Sequence, residues 1–259
     1  MRTVKDKFFV SADADANRCL DIIGPDGKKL FVDTDFNPFA YSTRIGAVTH
    51  IPQIIDDQWL NDNPIKVGDT VVFHHHVCQK ENRVEYEGEE IFMADYSQLF
   101  AKVEDGIITP LETVIYVEPI IEKEEELFCD KFKIKEEVEV KKMVGIAAFT
   151  SNKAQETGIE LGDKIYFTAY AHYKTDLLGK EYYRIRLRNI RLVERGGELV
   201  FIDNMVVLND NHEVIGLGNN ITDIEIGDKV NYFEGVFAKV NYSGKMLMSL
   251  KRENINVIL

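Results

Sequence analysis

His74-His75-His76-Val77-Cys78 is the stretch of this chain best equipped for chemistry. Imidazole and thiolate are the ligands that zinc takes. On a strand, alternation would put His74, His76 and Cys78 on one face and His75 on the other. A closed site needs its full ligand count and geometry, and no further His or Cys lies nearby in sequence. The plainer reading is a strand whose polar side chains face solvent or a neighbouring subunit, and on that reading we expect no metal. Arg184, Arg186 and Arg188 alternate in the same way along 182–188. They could grip an acidic partner, but we expect a solvent-facing ladder set against Glu residues.

Nothing else in the chain has the pattern of a catalytic centre. Gly216-Leu217-Gly218-Asn219 holds two glycines without the third glycine or the βαβ setting that a dinucleotide site requires. There is no phosphate loop, and no Ser, His and Asp set stands in a recognisable motif. We therefore expect a protein that is not an enzyme and carries no cofactor.

The net charge of −13 argues against nucleic acid, since phosphate contacts need clustered Lys and Arg. It argues equally against an anionic membrane surface. No apolar run is long enough to span a bilayer, and Met1–Lys7 leads into a strand-like run without the apolar core of a signal peptide. These features point to a cytoplasmic protein, or to a virion or host cytoplasm if the source is viral. Cys19, Cys78 and Cys129 are odd in number and widely spaced, as reduced thiols would be.

The elements that must position these residues are written in triplicate. Ile65-Lys66-Val67-Gly68-Asp69-Thr70-Val71 returns as Ile159-Glu160-Leu161-Gly162-Asp163-Lys164-Ile165, and again as Ile224-Glu225-Ile226-Gly227-Asp228-Lys229-Val230. Gly supplies a positive φ for a tight turn, and Asp is expected to hydrogen-bond the backbone just beyond it. The alternating flanks read as half-buried strands. A further glycine opens a strand after each corner, at Gly88, Gly179 and Gly244, and each unit closes on a largely apolar run. Recurrence of this kind indicates three related β units. The intervals Gly46 to Gly68, Gly145 to Gly162 and Gly216 to Gly227 are taken as equivalent.

Helix signals are sparse, and the expected fold class is all-β, as tandem small, partly open barrels. The boundaries are 1–108, 109–196 and 197–259. The first unit holds a long irregular segment over 11–41 and an insert over 51–63 with Asp56, Asp57, Trp59 and Asp62. Segments of that length inside compact domains are usually functional or disordered. This one carries two apolar clusters, Leu20-Asp21-Ile22-Ile23 and Leu30-Phe31-Val32, around the turn Gly24-Pro25-Asp26-Gly27. They serve either as partner contacts or as a folded hairpin. In the second unit, Phe132–Lys135 and Val138–Val140 alternate as strands of a hairpin. The third unit has almost no room for a long segment.

The feature order of the first unit resembles the GroES-type co-chaperonin family. The matching residues are Asp6-Lys7-Phe8-Phe9-Val10, Ser42-Thr43-Arg44-Ile45-Gly46-Ala47-Val48, Lys66-Val67-Gly68-Asp69-Thr70-Val71, Gly88-Glu89-Glu90-Ile91 and Ala101-Lys102-Val103. The likeness covers about residues 3 to 104, and the later units share only the corner and closing strands. It implies tandem GroES-like barrels, a homo-oligomeric ring, and a mobile loop that docks on a large GroEL-type chaperonin. In that family an aliphatic tripeptide makes the contact. By position this is Leu30, Phe31 and Val32, with Leu20, Ile22 and Ile23 as second choice. Lys28-Lys29 stands where the family has a glycine pair. The alternative is a structural or adaptor ring protein, viral in one version, that uses such barrels without binding a chaperonin.

Overall fold

The computed structural model describes residues 7–12, 43–52, 65–122, 139–168, 173–233, 235 and 237–258. The protein is all-β, with one short helix, α1 (Asn152–Glu156), among the described residues. Two compact units divide the chain, residues 1–114 with 173–180 and residues 115–172 with 181–259.

The first unit contains β1 (Phe8–Val10), β2 (Thr43–His50), β3 (Thr70–His74), β4 (Arg83–Tyr86), β5 (Glu89–Ala94), β6 (Leu99–Glu104) and β7 (Ile107–Pro110). They form one sheet in the order β4-β5-β1-β2-β3-β6-β7. Every pairing in it is antiparallel. Turn chemistry explains the hairpins. Glu87 and Gly88 have φ of 53° and 84°, and Asp105 and Gly106 have 51° and 79°. Two successive positive φ values make the type of turn whose twist matches antiparallel strands. Phe8, Val10, Val48, Val71, Phe73 and Leu99 anchor the core of this unit.

The chain continues through β8 (Val114–Glu122), β9 (Glu139–Thr150), β10 (Lys164–Phe167), β11 (Tyr173–Leu177), β12 (Lys180–Arg186), β13 (Ile190–Arg195) and β14 (Glu198–Val200). After these come β15 (Met205–Leu208), β16 (Val214–Leu217), β17 (Val230–Tyr232), β18 (Ala238–Tyr242), β19 (Lys245–Lys251) and β20 (Ile255–Ile258). In the second unit the order β12-β8-β9-β10-β13-β14 repeats β5-β1-β2-β3-β6-β7 strand for strand. A third version runs β19-β15-β16 and β17-β20, the two parts joined by the bridge Glu213–Lys229.

The irregularities repeat as faithfully as the order. The register slips at Phe9/Val10, at Tyr116/Val117 and at Val207/Leu208, where strand one meets strand two of each repeat. It slips again at Val72/Phe73, Tyr166/Phe167 and Asn231/Tyr232. Bulges bend a sheet and set where side chains point, so their recurrence indicates one architecture used three times. A short 3-10 turn precedes the closing strand each time, at Tyr96–Gln98, Leu187–Asn189 and Arg252–Asn254.

The Gly-Asp corners are superimposable in their bonds. Gly68, Gly162 and Gly227 have φ of 92°, 88° and 96°. Their amides donate to the carbonyls of Val48, Ala147 and Val214, each at 2.8 Å. The aspartate works differently from the sequence expectation. Its side chain accepts from the amide three residues before it, Lys66 to Asp69, Glu160 to Asp163 and Glu225 to Asp228, each at 2.8 Å. The carboxylate therefore closes the corner backwards, tying down the lead-in before the strand begins.

Residues 197–259 share an apolar core with the second repeat. Met205, Val207 and Leu247 pack in one cluster with Ile115, Ile165, Ile185 and Leu192. Val206, Leu208, Met248 and Leu250 belong to a second cluster with Val214 and Val230. Strand β15 is thus buried on both faces, and its continuous Met-Val-Val-Leu run reflects that. The arginine ladder is corrected as well. Arg184 is buried, because β12 is covered on both faces over 182–185, and Arg188 sits in a 3-10 turn rather than on a strand. Opposite it, burial pushes the hydroxyl of Tyr116 far above its ordinary pKa, with the Arg184 charge pulling the other way.

Candidate functional site

Equivalent points of the three repeats differ in what joins the first strand to the second. In the third repeat, Leu208 of β15 and Val214 of β16 are joined by a tight turn. Asn209 donates its amide to the Glu213 carbonyl at 3.0 Å, and its side-chain oxygen accepts from the amides of Asn211 and Glu213. His212 takes the positive φ of 61° that such a turn requires. The first repeat places residues 11–47 between the equivalent positions, Val10 and Val48. The first and second strands pair the same way in both, so residues 13–42 are additional to what this pairing needs.

The root of that segment is tightly built. The Ser11 amide donates to Ala47 O at 2.8 Å, and the Ser11 hydroxyl lies 3.3 Å from both the amide and the carbonyl of Ala47. Gly46 lies against this crossing, where a Cβ would stand 1.7 Å from Ser11 O. Only glycine admits two backbones at that distance. Thr49 Oγ1 donates to Phe9 O at 3.2 Å and holds the strands together below. Gly145 is the counterpart of Gly46, since Gly46 pairs with Val71 and Gly145 with Ile165 at the same place after the corner. Gly216 is not their counterpart. It lies two residues after Val214, whereas Gly46 lies two before Val48, so the third glycine interval expected from sequence is displaced.

Beside the returning strand lies the histidine stretch, because Thr43 of β2 pairs with His74 of β3. The strand ends there, and His75–Cys78 form a 3-10 turn. The alternation that would have grouped His74, His76 and Cys78 is thereby lost. His74 Nδ1 accepts the His76 amide at 3.1 Å, capping the turn. The Asn82 side chain donates to His76 O at 2.9 Å. The turn gathers the three imidazoles instead, with ring centroids 4.7 Å apart for His74 and His75, 4.5 Å for His74 and His76, and 4.1 Å for His75 and His76. One nitrogen from each ring can be chosen so that the three lie within 4.8 Å of one another. Cys78 turns away to pack on the core with Val77, and burial there pushes its thiol pKa up.

Leu30, Phe31 and Val32, and the second choice Leu20, Ile22 and Ile23, lie outside the described residues, as do most of the 51–63 insert and Phe132–Val138. The signal missed in the sequence was helical compaction of a polar run. Three consecutive histidines after a β-branched strand read as more strand, while the tight turn depends on the His74 cap and the Asn82 side chain.

No helix among the described residues is long and apolar enough to cross a membrane. The chain matches no protein-family model and no curated protein.

Proposed function

We propose that this chain is a ring-forming, non-enzymatic co-chaperonin that caps a large ATP-driven chaperonin of the GroEL type and so assists protein folding. In this reading each repeat is a small, partly open GroES-like barrel, and Leu30, Phe31 and Val32 make the chaperonin contact. One observation carries it: residues 13–42 enter and leave at a built root between β1 and β2, where the third repeat closes with the Asn209–Glu213 turn. An insertion that the fold does not require, held at both ends by a clamp, is suited to presenting side chains to a partner. A few apolar contacts ordered on binding are weak individually, and a ring makes them strong by effective concentration while leaving them reversible.

The test is co-elution with a chaperonin in the presence and absence of nucleotide, using the unsubstituted protein and Phe31→Asp. Nucleotide-dependent binding lost in the variant supports the assignment. Binding that is absent, or indifferent to Phe31→Asp, removes it.

The threefold recurrence of the strand order favours a second reading, a structural or adaptor ring protein, viral in one version, built from the same barrels. Images of the purified particle separate the two. Residues 13–42 ordered against a neighbouring subunit in a ring of other than sevenfold symmetry would favour the adaptor.

A further inference from the structure

We propose that the turn His74-His75-His76 is a binding site for a divalent transition-metal ion, Zn2+ in the first instance, held by three imidazoles beside the root of the 13–42 segment. Its basis is geometric. The candidate ligand atoms lie within 4.8 Å of one another. Three nitrogens at that largest separation share a centre about 2.8 Å from each, whereas zinc–imidazole bonds are about 2.0–2.1 Å. Each ring therefore has to move inward by less than about 1 Å, within the reach of small side-chain torsions.

The surroundings suit an exchangeable ion rather than a sealed one. His76 is exposed and His74 and His75 are half-buried, which leaves a path in from solvent and a position for water. Three protein ligands with an open fourth position is a zinc arrangement, and imidazole suits zinc, copper and nickel alike. His74 Nδ1 accepts the His76 amide, so in the neutral ring its proton sits on Nε2. Ligation through Nδ1 exchanges that amide bond for a metal–nitrogen bond and releases the His76 amide to water. The pairing of Thr43 with His74 then links metal occupancy to the point where the 13–42 segment rejoins the sheet. Cys78 takes no part, because its thiol packs on the core. This inference is independent of chaperonin binding.

Zn2+ is titrated calorimetrically into the full chain carrying no added histidine tag, alongside His75→Ala, His76→Ala, the double variant and Cys78→Ser. Loss of an outer partner of a metal site already weakens affinity by about 10–100-fold, so each single His variant should lose at least that much. Cys78→Ser should bind as the unsubstituted protein does, and Co2+ should give the visible absorption of a tetrahedral nitrogen site that the double variant lacks. Circular dichroism of each variant checks that the sheet is intact. Failure of the unsubstituted protein to bind one Zn2+, binding that survives the double substitution, or a loss on Cys78→Ser overturns the assignment.

Discussion

Arg195 clamps Asp163 with both ends of its guanidinium. Its Nε donates to Oδ1 at 2.8 Å and its Nη2 to Oδ2 at 2.9 Å, while Asp163 is 1% exposed. The same guanidinium reaches Glu160 Oε1 at 2.8 Å and Gly158 O at 2.7 Å. One side chain thus holds the lead-in, the corner carboxylate and the closing strand of the second repeat. In the first repeat the partner is Lys102, whose ammonium lies 3.2 Å from Asp69 and 3.0 Å from Glu104. A planar fork matches a carboxylate with two bonds, whereas an ammonium acts as a point charge. Arg195→Ala should therefore cost about 2 kcal/mol, discounted for the partial exposure of the guanidinium, and Lys102→Ala about 1 kcal/mol or less. Urea denaturation of the two variants checks the order.

Gly46 and Gly162 should fail for different reasons. A Cβ at Gly46 meets Ser11 O at 1.7 Å, so Gly46→Ala has to push β1 from β2. Gly162 has open space around its Cβ position but a φ of 88°. Gly162→Ala should cost about 1–3 kcal/mol as local backbone strain. Gly46→Ala should cost more than that, and hydrogen exchange should show faster opening of β1 and β2. Equal effects in the two variants would mean that the crossing at Ser11 admits a Cβ without separating β1 from β2.

Stability should fall at low pH partly through Glu194. Burial alone would raise its carboxyl, but hydrogen bonds from Lys164 Nζ at 3.0 Å and Tyr166 OH at 2.8 Å outweigh that and hold the pKa below the ordinary value. A depressed folded pKa gives stability that is complete above the unfolded value of about 4.3 and is lost as pH falls through the folded pKa. Glu194→Gln should therefore be less stable than the unsubstituted protein at pH 7 and at pH 5. The gap should narrow at pH 3. A gap that widens on acidification would contradict this sign.

Leu247 lies on β19 of the third repeat and is buried in the cluster of the second. Leu247→Ala should cost about 2–4 kcal/mol. Amides of β13 and β15 should lose exchange protection together, because one cluster joins the two repeats. Loss confined to β19 would indicate that residues 197–259 open by themselves.

Burial pushes the thiol of Cys78 above its ordinary pKa. With Cys19 and Cys129 replaced by Ser, alkylation at pH 8 should be much slower for the folded chain than in urea, since the thiolate is the reactive form. Equal rates would place Cys78 in open contact with solvent.

Much of the architecture was legible because its signals are local. A Gly-Asp corner needs a positive φ and a short acceptor, and both are properties of single residues, so three corners could be read from three short strings. The all-β class followed from alternation in the same way. The direction of the aspartate bond, the displacement of Gly216 from the position of Gly46, and the burial of Arg184 were not legible. The last two depend on which strand lies alongside, a matter of register between residues far apart in the chain. The aspartate bond instead spans three residues and turns on the backbone conformation of the corner itself.

The histidine stretch marks the same boundary. Its composition determined that imidazoles would be plentiful beside one strand end, because side-chain chemistry is carried by the residue itself. Whether they spread along a pleat or close into a cluster was decided by the tertiary structure. There, pairing of His74 with Thr43 ends the ladder, and a cap from His74 to the His76 amide turns the backbone, so that three rings meet and Cys78 is drawn into the core.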